Sequence, residues 1–187
     1  MTAISVGILT LFLGLPFLLQ KKTFITLPVF EVTRSVYGFN PFPESLEIAK
    51  YIREHSKKDD KIAVLGSEPQ IFFYSHRKSA TRHIYMYPLM EKHIYARQMQ
   101  NEMVREIEQG QPEFVVVVKL FDSWVSSRPG LTPFLKDWAQ DYLSSEYEIT
   151  GVVDILSHEE TLYNWDDQAE GYQPQSRFHL IIHKRRT

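Results

Sequence analysis

Lys61-Ile62-Ala63-Val64-Leu65-Gly66-Ser67-Glu68-Pro69 is the stretch from which the fold is read. Ile62 to Leu65 is apolar at consecutive positions, the pattern of a short strand covered on both faces. Lys57-Lys58-Asp59-Asp60 makes a charged turn before it, and a helix is expected ahead of that turn, from Pro43 to about Ser56. Pro43-Glu44-Ser45 suits a first helical turn, because the missing proline N–H is harmless there and an acid faces the positive end of the helix dipole. Leu46, Ile48, Ala49 and Ile52 would be its buried stripe. Helix, tight turn and buried strand make an α/β unit.

Gly66-Ser67-Glu68-Pro69 falls at the carboxyl end of the strand, where open α/β sheets bind ligands, so Ser67 and Glu68 are candidate ligand-binding residues by position. The same residues also read as a plain helix start, with Ser67 as N-cap of a helix through Gln70. Neither G-x-G-x-x-G nor G-x-x-x-x-G-K occurs, so nothing here is a recognisable nucleotide cradle. Ala80 to Leu89 follows as a short strand or extended loop. Its Arg82, His83, Tyr85 and Tyr87 could bind a phosphate or sugar and stack on a ring, or could line one face of a strand with wet hydroxyls.

Further along, Ala96, Met99, Met103 and Ile107 recur at helical spacing between Glu91 and Gln109, with Tyr95 and Val104 widening the stripe. Gly110 is expected to stop that helix in left-handed geometry. Phe114 to Val118 is β-branched and apolar on both faces, a central strand expected beside Ile62–Leu65. Asp122, Ser123, Trp124 and Arg128 lie in a loop at its carboxyl end, and Thr132-Pro133 would start a helix burying Phe134, Leu135, Trp138, Ala139, Tyr142 and Leu143. Tyr147–Leu156 and Phe178–His183 read as two strands pairing as an antiparallel hairpin, joined by a long acidic connection, Ser157–Ser176, expected to be mobile.

Upstream, Thr2 to Gln20 contains no ionisable side chain, and Lys21 and Lys22 close it. A run of that length matches the ~20 residues a helix needs to cross a hydrocarbon core. A signal peptide would want a basic start and a small-residue cleavage pattern, and a core helix would need protein on every side. Residues 1–20 are therefore expected to form a transmembrane helix, 21–42 an extended connector, and 43–187 a soluble domain. That domain is expected to be a small three-layer, Rossmann-like α/β fold with a mostly parallel sheet and a C-terminal antiparallel hairpin.

The chain has 187 residues and a net charge of -2, with no cysteine. Without a basic excess, nucleic-acid binding is not its main task. Without cysteine, disulfides, thiolate catalysis and Cys-ligated zinc are excluded. His158, Glu159, Glu160, Asp166 and Asp167 are metal-ligand types, but no H-E-x-x-H or EF-hand spacing accompanies them. G-x-S-x-G is also missing.

Asn40-Pro41-Phe42-Pro43-Glu44, Ile48-Ala49-Lys50-Tyr51-Ile52, Asp60 to Pro69, Phe72-Phe73-Tyr74, Arg77-Lys78-Ser79-Ala80 and Tyr85-Met86-Tyr87-Pro88-Leu89 together resemble the C-terminal extracytoplasmic region of bacterial integral-membrane glycosyltransferases. The region is similar to the dolichyl-phosphate-mannose–protein mannosyltransferase family and to lipid-A aminoarabinose transferases. The resemblance covers about Pro41 to Leu89 and implies an accessory domain of an inverting enzyme that uses a polyprenyl-phosphate sugar donor. It further implies that the catalytic carboxylate lies in a many-helix membrane domain outside this chain, so no catalytic residue carries over. No cofactor is implied for this segment; a divalent metal is implied only as an option of the parent family's catalytic part. The implied partners are membrane lipid, the upstream transmembrane domain, the polyprenyl-phosphate sugar and an acceptor. The implied location of the soluble part is the extracytoplasmic side of the inner membrane, whereas Lys21 and Lys22 alone would place it in the cytoplasm. A free-standing, membrane-anchored binding or assembly module is the alternative.

Overall fold

The computed structural model describes residues 3–120, 123–124 and 134–186. The chain divides into two compact units, Met1–Gly38 and Phe39–Thr187.

The first unit contains α1 (Ala3–Leu19), a π-helical segment Lys22–Thr26, and α2 (Val29–Tyr37). It corrects the transmembrane expectation, because no helix among the described residues is long and apolar enough to cross a membrane. The 17 residues of α1 span about 26 Å at ~1.5 Å per residue, short of a hydrocarbon core of ~30 Å. The wider turns at Lys22–Thr26 then replace α-helical geometry. Phe12, Leu13, Leu18 and Leu19 stand largely exposed on α1. The connector, expected to be extended, is helical instead. Pro28 takes the N-cap position of α2 with ψ 150°, Glu31 sits in the first turn, and Arg34 rather than an apolar residue is the buried one. Gly38, at φ 58°, ends the helix and returns its N–H to Arg34 O.

The second unit is built on one six-stranded sheet. Its elements in chain order are α3 (Phe42–Glu54), β1 (Lys61–Leu65), α4 (Gln70–Ser75), β2 (Lys78–Ser79), α5 (Tyr87–Met90), α6 (Ala96–Gly110), β3 (Phe114–Lys119), α7 (Phe134–Glu146), β4 (Tyr147–Ile155), β5 (Thr161–Trp165) and β6 (His179–Arg185). The strand order is β2-β1-β3-β6-β4-β5. Among the described residues only β1 pairs in parallel, with β2 and β3, while β3–β6, β6–β4 and β4–β5 are antiparallel. The sheet is therefore mixed, which corrects the mostly parallel expectation. Parallel neighbours need a crossover long enough for a helix, and α6 supplies it between β1 and β3. β4 turns back into β5 through a short connection. β5 and β6 run in the same direction on either side of β4, so the longer segment between them carries the chain across β4, and β6 fits between β3 and β4.

Alternation along β1 and β3 sends side chains to two cores. Ala63, Leu65, Val115 and Val117 pack with Met86, Met103, Ile107, Leu135 and Leu143 from α5–α7 and the segment before α5. Ile62, Val64, Phe114, Val116 and Val118 pack with Ile48, Ile52 and Ile71 of α3 and α4, joined by β4 and β6 residues. Helices thus cover both faces of β1 and β3, as their continuous apolar runs require.

Several local expectations are also corrected. Leu46 is exposed, and Ser45 and Tyr51 share the buried side of α3 with Ile48, Ala49 and Ile52. Gly110 closes α6 as its last residue, and Gln111 takes the left-handed position at φ 43°. A Cβ on Gly110 would lie 3.2 Å from that of Ala80, so packing explains the glycine. The connection after β4 contains β5, and it is tied down by Asp154. That fully buried carboxylate accepts from Tyr172 OH (2.9 Å), Gln175 N–H (2.7 Å) and Ser176 N–H (3.2 Å). Thr132-Pro133, the expected start of α7, lies outside the described residues, as do Asp122 and Arg128.

Candidate site at the carboxyl ends of the parallel strands

Gly66 ends β1 with no room above its Cα. A Cβ there would overlap the Glu68 carboxylate and lie 2.6 Å from Val118 Cγ2. The missing side chain is what allows Glu68 to fold back over the strand end, where it is 4% exposed. The Ser123 hydroxyl lies 2.7 and 2.9 Å from the two Glu68 carboxylate oxygens and is placed to donate to either. Ser67 completes the group: its N–H donates to Ser123 Oγ at 2.9 Å, and its hydroxyl donates to Ser123 O at 2.9 Å. Trp124 adds a further tie, its indole N–H donating to Val118 O at 2.7 Å. The two carboxyl ends are thereby stitched together through Glu68.

Burial pushes the Glu68 carboxyl up to about 7, against the opposing pull of the Ser123 hydroxyl and the Ser67 backbone. Desolvation prevails because no cation among the described residues contributes to hold the charge. An acid balanced near neutrality at a strand end has the character of a proton-transfer group. Here, however, its oxygens are engaged by a serine of its own chain.

The helix-cap reading of Ser67 is not what forms. Pro69 occupies the N-cap position of α4 with no side-chain cap bond, and the Ser67 hydroxyl is directed to Ser123 instead.

Arg82 closes on α6. Its Nε donates to Glu106 at 2.7 Å and its Nη1 lies 3.3 Å from Glu102, with the side chain 69% exposed. The Thr81 hydroxyl and Arg82 N–H also donate to Glu106, at 2.7 and 3.0 Å. Tyr85 is exposed, its ring 4.6 Å from that of Tyr87, which opens α5 and packs on the core. The five sequence candidates therefore fall into two groups, Ser67 and Glu68 on Ser123, and Arg82, Tyr85 and Tyr87 around α5 and α6.

The sequence reading passed over Lys119 and His179. Lys119 ends β3 opposite His179, which in turn sits opposite Asp154. Partial desolvation at the strand end, with nearby Lys136, pushes the Lys119 ammonium down although the residue is exposed, and burial lowers the His179 ring. The signal available was a lysine closing an apolar strand. Asp166 of the acidic connection accepts the Tyr51 hydroxyl at 2.6 Å, and the His158 ring meets Phe39 edge-on. Among the described residues, no group of three or more acidic or histidine side chains is placed to hold a metal ion.

No family model, characterised protein or solved structure matches this chain.

Proposed function

We propose that this chain is the accessory C-terminal part of a bacterial glycosyltransferase that takes its sugar from a polyprenyl-phosphate donor, with catalysis carried out by a portion of the enzyme outside these residues. The reading places the α/β domain on the extracytoplasmic side of the inner membrane, positioned to cap the catalytic part or to hold an acceptor.

The observation that supports it best is how the residues carrying the resemblance are used. Pro41 to Leu89 builds α3, β1, α4, β2 and α5 as one continuous run, and its polar side chains hold backbone in place. The Ser45 hydroxyl donates to Pro41 O at 2.6 Å and receives Gln70 Nε2–H at 3.1 Å. Arg77 donates to Arg53 O, Ser56 O and Ser75 O, capping two helix ends with one guanidinium. Glu68 is locked to Ser123. A domain whose polar side chains are occupied in this way suits a scaffold role better than a catalytic one. The exposed apolar faces of α1 give a second reason to expect a partner.

Sequencing the reading frame upstream of Met1 tests this reading. It is expected to run on into several hydrophobic segments with an acidic residue in the first loop. A stop codon directly upstream would refute it and favour the free-standing assembly module.

A further inference from the structure

Between α5 and α6 the chain makes a turn whose most prominent residue is Ile94, 86% exposed. The turn is braced from inside. The His93 ring accepts Tyr95 N–H at Nδ1 (3.2 Å), and its Nε2 lies 2.6 Å from Pro88 O. One imidazole thus ties both limbs of the turn, which presents Ile94 outward. Tyr95, next to it, is 61% exposed, and Ile84 and Tyr85 are exposed nearby in sequence. The Tyr85 ring touches that of Tyr87, which precedes Pro88. Four of the large apolar or aromatic side chains left in water by the α/β domain therefore fall between Ile84 and Tyr95, among the described residues.

Charge collects on the same segment. The whole chain has a net charge of -2, yet Arg82 to Arg97 carries Arg82, Lys92 and Arg97 against Glu91 alone. Arg82 is paired with α6 acids. Lys92 and Arg97 are exposed and flank Ile94 in sequence, the Arg97 guanidinium lying 3.8 Å over the Phe134 ring.

We propose that this turn is a lipid-surface anchor specific for anionic phospholipid, in which Ile94 enters the boundary of the acyl chains. Tyr95 and Tyr85 sit at headgroup depth, where an apolar ring with a polar tip is stable. Lys92 and Arg97 meet lipid phosphates. A braced turn presenting one aliphatic side chain, with an exposed tyrosine next to it and an exposed lysine two residues before it, matches the layered polarity of a bilayer surface. A protein interface of ordinary size would need a broad, flat apolar centre instead. Contact of this size gives weak, reversible binding. The inference goes beyond the accessory reading and does not depend on it, since the upstream reading frame has no bearing on what Ile94 touches.

The absence of cysteine makes the test clean. The full chain carrying Ile94→Cys, labelled with a polarity-sensitive fluorophore, is mixed with vesicles of phosphatidylcholine containing a quarter phosphatidylglycerol. Gln109→Cys, an exposed site at the far end of α6, serves as the control for vesicle binding through other parts of the chain. The label at 94 is expected to shift to the blue and to be quenched by nitroxide lipid, with no such change at 109. Lys92→Glu with Arg97→Glu is expected to weaken the signal by about tenfold or more, following the share of affinity each cation contributes. A label at 94 that stays open to an aqueous quencher overturns the proposal, as does equal entry into pure phosphatidylcholine or indifference to the charge reversal.

Discussion

Glu68 is buried and His183 half-buried, their proton affinities move in opposite senses, and their effects on stability oppose each other. Burial raises the Glu68 carboxyl to about 7, so the folded chain binds more protons than the unfolded one between about 4.5 and 7. Stability from this group is complete below 4.5 and is lost as pH rises through 7. Burial lowers the His183 imidazole to about 4, so its contribution is complete above about 6.5 and is lost as pH falls through 4. Between about 4.5 and 6.5 the two slopes offset. Glu68→Gln keeps an acceptor for Ser123 and removes one slope. It is expected to match the wild type at pH 4.5 and to exceed it by about 3 kcal/mol at pH 8, read from urea midpoints at the two values. His183→Leu is expected to leave a stability that declines steadily from pH 4.5 to 7. Gly66→Ala forces a methyl group against Val118 and the Glu68 carboxyl and is expected to cost about 1–3 kcal/mol by overpacking, measured by thermal denaturation.

At the scale of elements, Asp154 explains why an acidic, turn-rich connection is structured. Asp154→Ala would leave the Tyr172 hydroxyl and two backbone N–H groups without their acceptor, at an expected cost of about 2–4 kcal/mol. Limited proteolysis is expected to cut the variant between residues 157 and 176 before it cuts elsewhere, and an unchanged cleavage pattern would count against this role. The same element shows where reading a sequence stops short. β1, β3, α6 and α7 were legible because apolar periodicity over five or more residues reports burial directly. β5 was not, because Thr161-Leu162-Tyr163-Asn164-Trp165 is half-buried at a sheet edge and is held by β4 across the sequence. The mixed character of the sheet was hidden for a related reason, since direction of pairing is set by connection length and by where β6 inserts. In the site, the position of Ser67 and Glu68 at a strand end was legible. Their partner Ser123 lies more than fifty residues away, and no local pattern encodes that contact.

At the scale of the molecule, Phe39–Thr187 has an apolar core on each face of one sheet, the requirement for folding as a unit. Expressed alone, it is expected to unfold in a single cooperative transition, with calorimetric and van't Hoff enthalpies in agreement. Two separated transitions would show that the sheet is not one folding unit. The functional account assigns this domain a supporting role for chemistry done elsewhere. It is tested most directly by incubating the purified full chain with a radiolabelled polyprenyl-phosphate sugar and following release of the sugar to water or to an acceptor. The expected result is no release above the protein-free control. Turnover by the chain alone, abolished by Glu68→Gln in a variant that remains folded, would contradict the account and make the carboxyl end of β1 a catalytic site.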